Sequence, residues 1–598
     1  MFGTRHRLHK TIKSEQGAID LSSIMVGIVV IGLIGGVIAA TVFSVIPWAQ
    51  DKAAQQQLDS VAVAQAAYKA KASDPATAQA EGFIANSYAD SANLASQGLL
   101  LEGDSYCTIP RDGGYIAFSQ SASGKIFTIS DQNTSPAEYN VSPEDAELPG
   151  CEFLAEAPLI DENPTLTALT LKCDTTMTGS LAIRGKLNGE LKVEGTDGTQ
   201  ISETYNNEYS KGDLTFQAGV EYKVTFNGTY TNFGAYPLSS CYRSLDHWGT
   251  ETGVINAANG MYYAHNLTYV SPFLPSTVTD ISGFFEAATA FNHPNVSKWD
   301  TKNVEEMQGA FRSAYAFNQP LNRWDVSKVT NMNQLFYGAL SFNQPLTNWN
   351  VSKVTDMGQL FSAAESFNQP LNNWNVENVK DMTEMFASTS YNHPLDKWDV
   401  SNVENFSHIF AYNKEFKQPL SHWKLTSAKN ISGMFKSSNY NQPLNDWDVS
   451  KVTNMSNLFS NSPYNHPLDK WDTSNVTNME GMFSWAKEFN HPIGHWDVSK
   501  VTDMSFMLAY TKEFNQPLND WKVDNVTNMR AMFDRTEKFN QPLNKWNVSK
   551  ATDVAHMFNS AESFDQDLSS WTFNVTPLHD YFQTAFKNPA YQPPQLRK

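Results

Sequence analysis

Twelve tryptophans, Trp299, Trp324, Trp349, Trp374, Trp398, Trp423, Trp447, Trp471, Trp496, Trp521, Trp546 and Trp571, recur at intervals of 24 or 25 residues. The unit reads LxxWDVSxVTNMxxMFxxAxxFNQP, and FNQPLNRWDVSKVTNMNQLF at 317–336 shows it almost unaltered. A period this short belongs to stacked repeats and excludes a single globular core. One unit cannot bury its own apolar face, so burial has to come from its neighbours.

Within LNRWDVSKV, Leu321, Trp324, Val326 and Val329 are expected to point inward, with Trp-x-Val as a short strand. This pattern matches the L-x-x-L-x-L spine of leucine-rich repeats. Met332, Leu335 and Phe336 follow at i, i+3 and i+4, which predicts one helical turn on the opposite wall. Phe342 closes the coil, Asn343 and Gln344 are placed to form a polar ladder between coils, and Pro345 stops the helix. The tryptophans are expected to form a buried column rather than a sugar-stacking strip. Residues beside them define the candidate binding face. The column before Trp varies (Arg323, Lys397, Asp446, Lys470), while the column after it is more uniform (Asp325, Asp399, Asp448, Asp472). His293, His393, His466 and His491 replace the Gln of FNQP without an accompanying carboxylate, so no metal site is expected.

With 43 basic against 62 acidic residues, the formal net charge of -19 repels phosphate backbones, so nucleic acid is excluded as a partner. No nucleophile, phosphate-loop or metalloprotease motif is present. The expectation is a non-enzyme without cofactors.

The first 23 residues are basic through Arg5, Arg7, Lys10 and Lys13, and no charge falls between Asp20 and Asp51. At ~1.5 Å per residue, a helix over 24–46 is long enough to cross a bilayer, with the rest of the chain outside the cell. A secretory signal, a plain signal anchor and a third arrangement compete here. In the third, a basic leader ends at Gly17, Asp20 follows, Pro47 lies near the helix end, and an Ala/Gln-rich run continues. These residues resemble the class III signal of type IV pilins and pseudopilins. The resemblance implies cleavage between Gly17 and Ala18. It also gives Asp20 the part of the family's helix carboxylate, paired to a neighbouring pilin-like subunit.

Residues 73–155 carry short alternating runs, YIAFSQ (115–120) and KIFTIS (125–130), and suggest a small pilin-like head. An acidic linker at 156–164 leads into 165–270, where alternating runs separated by Gly and Asn-Gly turns predict a β-sandwich that caps the repeats. The four cysteines bracket these two regions as Cys107 with Cys151 and Cys173 with Cys241. They read as two disulfides or as four buried thiols, and export favours disulfides.

The repeat motif closely resembles the BspA-type surface-protein repeats, tandem units once called the mycoplasma family of unknown function. The resemblance covers about 270–588 and implies an exported bacterial protein that binds an extracellular partner. The expected fold class is multidomain. Residues 1–17 are a leader, and 18–72 a transmembrane, pilin-like α-helix with a small α+β head after it. The β-sandwich follows, then a leucine-rich-repeat-like right-handed solenoid of about twelve repeats over 271–588, and a tail at 589–598. The expected partners are the membrane through the N-terminal helix, pilin-like subunits, and an extracellular protein or glycan. The expected location is the bacterial membrane or cell surface, with most of the chain outside. The expected function is an adhesin or binding protein. The alternative is a structural spacer or surface-layer component, and a cell-wall glycan-active enzyme is a more distant one.

Overall fold

The computed structural model describes parts of 58–66 and 106–139, and 161–596 apart from 162, 210–211, 235–236, 581 and 583–586. The chain divides into two compact units, Met1–Ala157 and Pro158–Lys598. In the first, β1 (Tyr106–Arg111), β2 (Gly114–Gln120), β3 (Ile126–Ser130) and β4 (Ala137–Tyr139) form an antiparallel meander. Alternation puts Tyr115, Ala117, Phe127 and Ile129 on one face, where they meet Leu58 and Val61 of a short helical stretch.

The second unit opens with β5 (Leu166–Lys172), β6 (Met177–Gly179), β7 (Ile183–Arg184), β8 (Lys186–Gly195) and β9 (Gln200–Tyr209). It continues with β10 (Leu214–Phe216), β11 (Glu221–Thr229), β12 (Asn232–Phe233), β13 (Tyr242–Trp248) and β14 (Tyr269–Val270). Six of these make one sheet in the order β14-β13-β5-β11-β8-β9, antiparallel except for the β13–β14 pair. β10 with β6 and β12 with β7 are two-stranded ribbons. A two-layer sandwich therefore does not form. Alternation along β11 buries Tyr222, Val224 and Phe226 on one face only, and β9 is almost wholly exposed, so the sheet needs a single cover. Cys173 and Cys241 form a disulfide between the end of β5 and the start of β13. Cys151 lies outside the described residues, as does the side chain of Cys107.

Repetition starts inside this region. Asn232 of β12 bridges to Asn256, Asn256 to Asp280, and a parallel ladder of single-residue bridges runs on through Asn331 and Asp356 to Leu578. Phe233, Trp248, Phe284 and Trp299 join the sheet's core to the first coils, with successive ring centroids 4.7, 5.5 and 5.2 Å apart.

The coils are not leucine-rich-repeat-like, and the expected right-handed solenoid of strand and helix does not form. Trp-x-Val is not a strand, since the only bridge in each coil is at the Asn331-type position. Nor is there a helical turn at Met332–Phe336. The amides of Leu335, Tyr337 and Ala339 close turns onto the carbonyls of Met332, Gln334 and Phe336. The alternate amides of Met332, Gln334, Phe336 and Gly338 instead donate to Asp356, Gly358, Leu360 and Ser362 of the next coil. Gln334 and Gly338 have φ of 58° and 65°, the left-handed conformation that the third residue of a type II turn requires. A run of such turns returns to the same wall every three or four residues, so the apolar spacing imitates a helix.

The only α-helical positions among the described residues lie between 58 and 66, and no described helix is long and apolar enough to cross a membrane. The predicted span at 24–46, the cleavage pair Gly17 and Ala18, and Asp20 lie outside the described residues. Membrane partnership through an N-terminal helix and the pilin-like α-helix expected over 18–72 thus gain no support from the structure.

Candidate functional site

The tryptophan column is core. Each ring is buried to within 4% of full enclosure, and neighbours stack nearly parallel, as with Trp299 and Trp324 at 6.2 Å and 3°. Each indole N–H also donates across the stack, Trp349 to the Leu321 carbonyl at 2.8 Å and Trp447 to that of Leu420 at 2.8 Å. No ring face is open for a sugar. The Asn-Gln ladder forms: Asn343 Oδ1 accepts from the Asn368 amide at 2.9 Å and from Gln369 Nε2 at 3.1 Å. His393, His466 and His491 take the glutamine's place and reach the same backbone carbonyls, with Nε2 3.0–3.1 Å from Asn368, Asn441 and Asn465.

Most residues flanking the Trp column are exposed, and the structure gives them local work. Asp325, Asp399, Asp448 and Asp472 each accept the amide of the serine two residues on, at 2.9–3.1 Å. Asn350 and Asn375 make the same turn, so Asp and Asn interchange in this column without loss of the bond. The serine contacts hold the Asp399 and Asp448 carboxyls below the usual range, hydroxyl first and amide second. Lys470 pairs with Asp446 at 2.7 Å, and Lys397 Nζ donates to Asn373 at 3.1 Å. Arg323 is half-buried. Variation before Trp is thus explained in part by contacts between adjacent coils.

A different corner of the coil stands out. The run of turns places two left-handed residues per coil, four apart, at the surface. At the second of them most coils carry Gly, Ala, Ser or Asn, as at Gly338, Ala363, Ser437 and Asn461. Five coils break that rule with Tyr263, Tyr412, Trp485, Tyr510 and Arg535, at φ of 54–64°. Phe506, with φ of 56°, is a large apolar residue at the first position, which otherwise holds Gly, Ala, Asn, Gln, Glu or His, with Gly481 and Ala531 on either side. Any residue but Gly costs roughly 1–3 kcal/mol there in backbone strain, least for Asn. The exposed large apolar side chains between coils Tyr263 and Phe506 all lie on this corner or two residues past it: Tyr263, Tyr315, Leu340, Tyr412, Trp485 and Phe506. Trp485 stacks on Tyr510 at 3.8 Å and 12°. Lys487 Nζ lies 5.8 Å from the Trp485 centroid, and the Arg535 guanidinium 5.2 Å from that of Tyr510.

Sequence reasoning missed this cluster because it looked beside the repeated tryptophan. The signal lies two residues past the conserved Phe, in a column of small residues abruptly filled by Tyr, Trp, Tyr and Arg. Among the described residues no group of three or more His, Cys, Asp or Glu is placed to hold a metal.

No curated protein and no solved structure matches this chain. The model of one family, described as "Mycoplasma protein of unknown function, DUF285", matches at 256–371, 345–444, 429–529 and 486–591. These overlapping matches run through the whole stack of coils and cover more than half of the chain, which therefore belongs to that tandem-repeat family.

Proposed function

We propose that this chain is an exported bacterial surface protein of the BspA type, whose stack of coils displays a recognition surface for an extracellular partner rather than performing chemistry. The observation that carries this reading is the gathering of exposed aromatic side chains on one corner of an otherwise polar array. Shorter or polar residues serve at the same positions elsewhere in the stack, Ser437 and Asn461 at that of Trp485, Gly481 and Ala531 at that of Phe506, so a spacer gains nothing from Trp485 or Phe506 there. The Cys173–Cys241 disulfide supports an oxidising compartment.

The test is retention of the purified full chain on a panel of immobilised extracellular glycans and matrix proteins. It is run beside a variant with Tyr412, Trp485, Phe506 and Tyr510 all changed to Ser. Retention of the native chain on at least one surface, lost in the variant, is the expected result. A native chain retained nowhere, or a variant retained equally, would make the array a spacer.

A further inference from the structure

We infer that the Trp485–Tyr510 cluster is a binding site for an acidic oligosaccharide, a sugar segment carrying a carboxylate. This rests on the reading of the turn corner as a recognition surface and narrows it to one site and one ligand class.

The site has a defined extent. Trp485, Tyr510 and Arg535 occupy equivalent positions on three successive coils, shown by their amides, which donate in turn to Ala509, Asp534 and Asn559. Hydrogen-bonded strands lie ~4.8 Å apart, so the three span about 10 Å along the stack. The column becomes short and polar on both sides, with Ser437 and Asn461 before it and Ser560 after. Phe506 stands beside it on the Tyr510 coil and is 38% exposed, while Trp485 is 43% exposed.

Charge fixes the kind of ligand. The chain carries a net charge of -19, yet this cluster is closed at both ends by cations over aromatic rings. Lys487 is left in that position by its neighbours. Lys512, the equivalent residue one coil on, pairs with Glu537 at 2.6 Å, whereas Lys487 rests on Trp485. The nearest carboxylate to Arg535 is that of Asp534, at a long 3.9 Å and already bonded to Asn559. Two cations held in place by rings, about 10 Å apart, suit a ligand that brings its own negative charge and lays C–H surface on the exposed aromatics.

Size separates a sugar from a protein. A stable protein interface buries about 1,600 Å² with a continuous apolar centre. Three partly exposed rings bounded by Ser and Asn supply a small fraction of that. They match the face of a few sugar units.

The experiment is calorimetric titration of the full chain with a tetrasaccharide of alternating uronic acid and N-acetylhexosamine. The control ligand is the same tetrasaccharide with its carboxylates reduced to alcohols. The acidic form should bind, more weakly as salt rises, and the reduced form at least tenfold more weakly. K487N with R535S should cost at least tenfold in affinity, and W485N with Y510S should abolish binding. Asn461 and Ser560 already stand at the positions equivalent to Trp485 and Arg535 on adjacent coils, and none of the four replaced side chains is buried, so each variant should melt close to the native chain. Absence of binding to the acidic form overturns the inference, as do equal binding of the reduced form and indifference to the variants. If a glutamate-rich peptide binds in its place and the same variants abolish that, the sugar class is wrong and the corner remains a recognition surface. If the variants change retention on none of the panel surfaces, both readings fall.

Discussion

The sheet region and the coil array solve one problem, holding parallel layers of chain in register, with opposite means. In the sheet, β8 meets β11 over eight consecutive residue pairs, and backbone bonds set the register almost alone. In the array each coil touches the next through one bridge residue and a few turn amides, and side chains supply the rest. Stacked indoles, stacked phenylalanines and the Asn-Gln ladder recur along the array. The difference teaches where each region is vulnerable. A strand loses little when one side chain is cut back, since the backbone ladder remains. A coil loses its register with a single core side chain.

The largest expected effect tests that contrast directly. Trp447→Ala removes a ring that is 2% exposed, that stacks on Trp471 at 6.5 Å, and whose N–H satisfies the Leu420 carbonyl. The loss should be about 3–5 kcal/mol for the cavity, and the lost indole bond adds little because the Leu420 carbonyl keeps the Trp423 amide at 3.0 Å. Because repeats couple only to their neighbours, denaturant unfolding followed by circular dichroism should split into two transitions. One slightly weakened transition would mean that backbone turns, not the tryptophan column, hold the stack.

A second, smaller effect sharpens the other side. Cys173→Ser with Cys241→Ser opens a link across 68 residues of sequence, between two strands already paired at Leu171 and Tyr242. Stability of the sheet region should fall by roughly 2–4 kcal/mol, through the freed unfolded chain. The array's own transition should stay where it was. If both transitions move together, the two regions form one cooperative unit, and the contrast fails.

Legibility in the sequence follows the same division. The strands β8 and β11 were readable because KVTF and LKV alternate, a pattern set by the pleat itself. The buried Trp, Leu and Phe columns and the Asn343 ladder were readable because a strict period leaves few alternatives. What could not be read was the backbone between Asn331 and Ala339. Apolar spacing at 332, 335 and 336 fits a helix and a run of type II turns equally well. The decisive residues, Gln334 and its equivalents, are ordinary side chains held at positive φ only by the coil that follows. Turn-forming Gly433 and Gly481 at that position carry the hint, but only once the coils are aligned on it. The aromatic cluster was hidden for the same reason. Trp485 is one tryptophan among 15, and its meaning comes from the Ser and Asn that occupy its column elsewhere.

The smallest expected effect concerns pH and separates the Asp/Asn column after Trp from the core. Asp448 accepts both the amide and the hydroxyl of Ser450, at 3.1 and 2.7 Å, and these bonds hold its carboxyl below the usual range. A carboxylate with a lowered folded pKa stabilises the protein at pH values above its unfolded pKa. That contribution is lost as pH falls through the folded value, below about pH 4. Asp399 and Asp497 make the same turn and shift the same way, so acid should loosen the array coil by coil. Asp448→Asn keeps the acceptor that Asn350 and Asn375 already provide in this column and removes the titration. At pH 7 its unfolding midpoint should match the native chain within experimental error, since the group is exposed and solvent-screened. Between pH 5 and pH 3 the native chain should lose slightly more stability than the variant, and the gap should widen when Asp399 and Asp497 are changed as well. Parallel acid titration curves for the native chain and the triple variant would assign the acid response to other carboxylates and leave this column a purely geometric role.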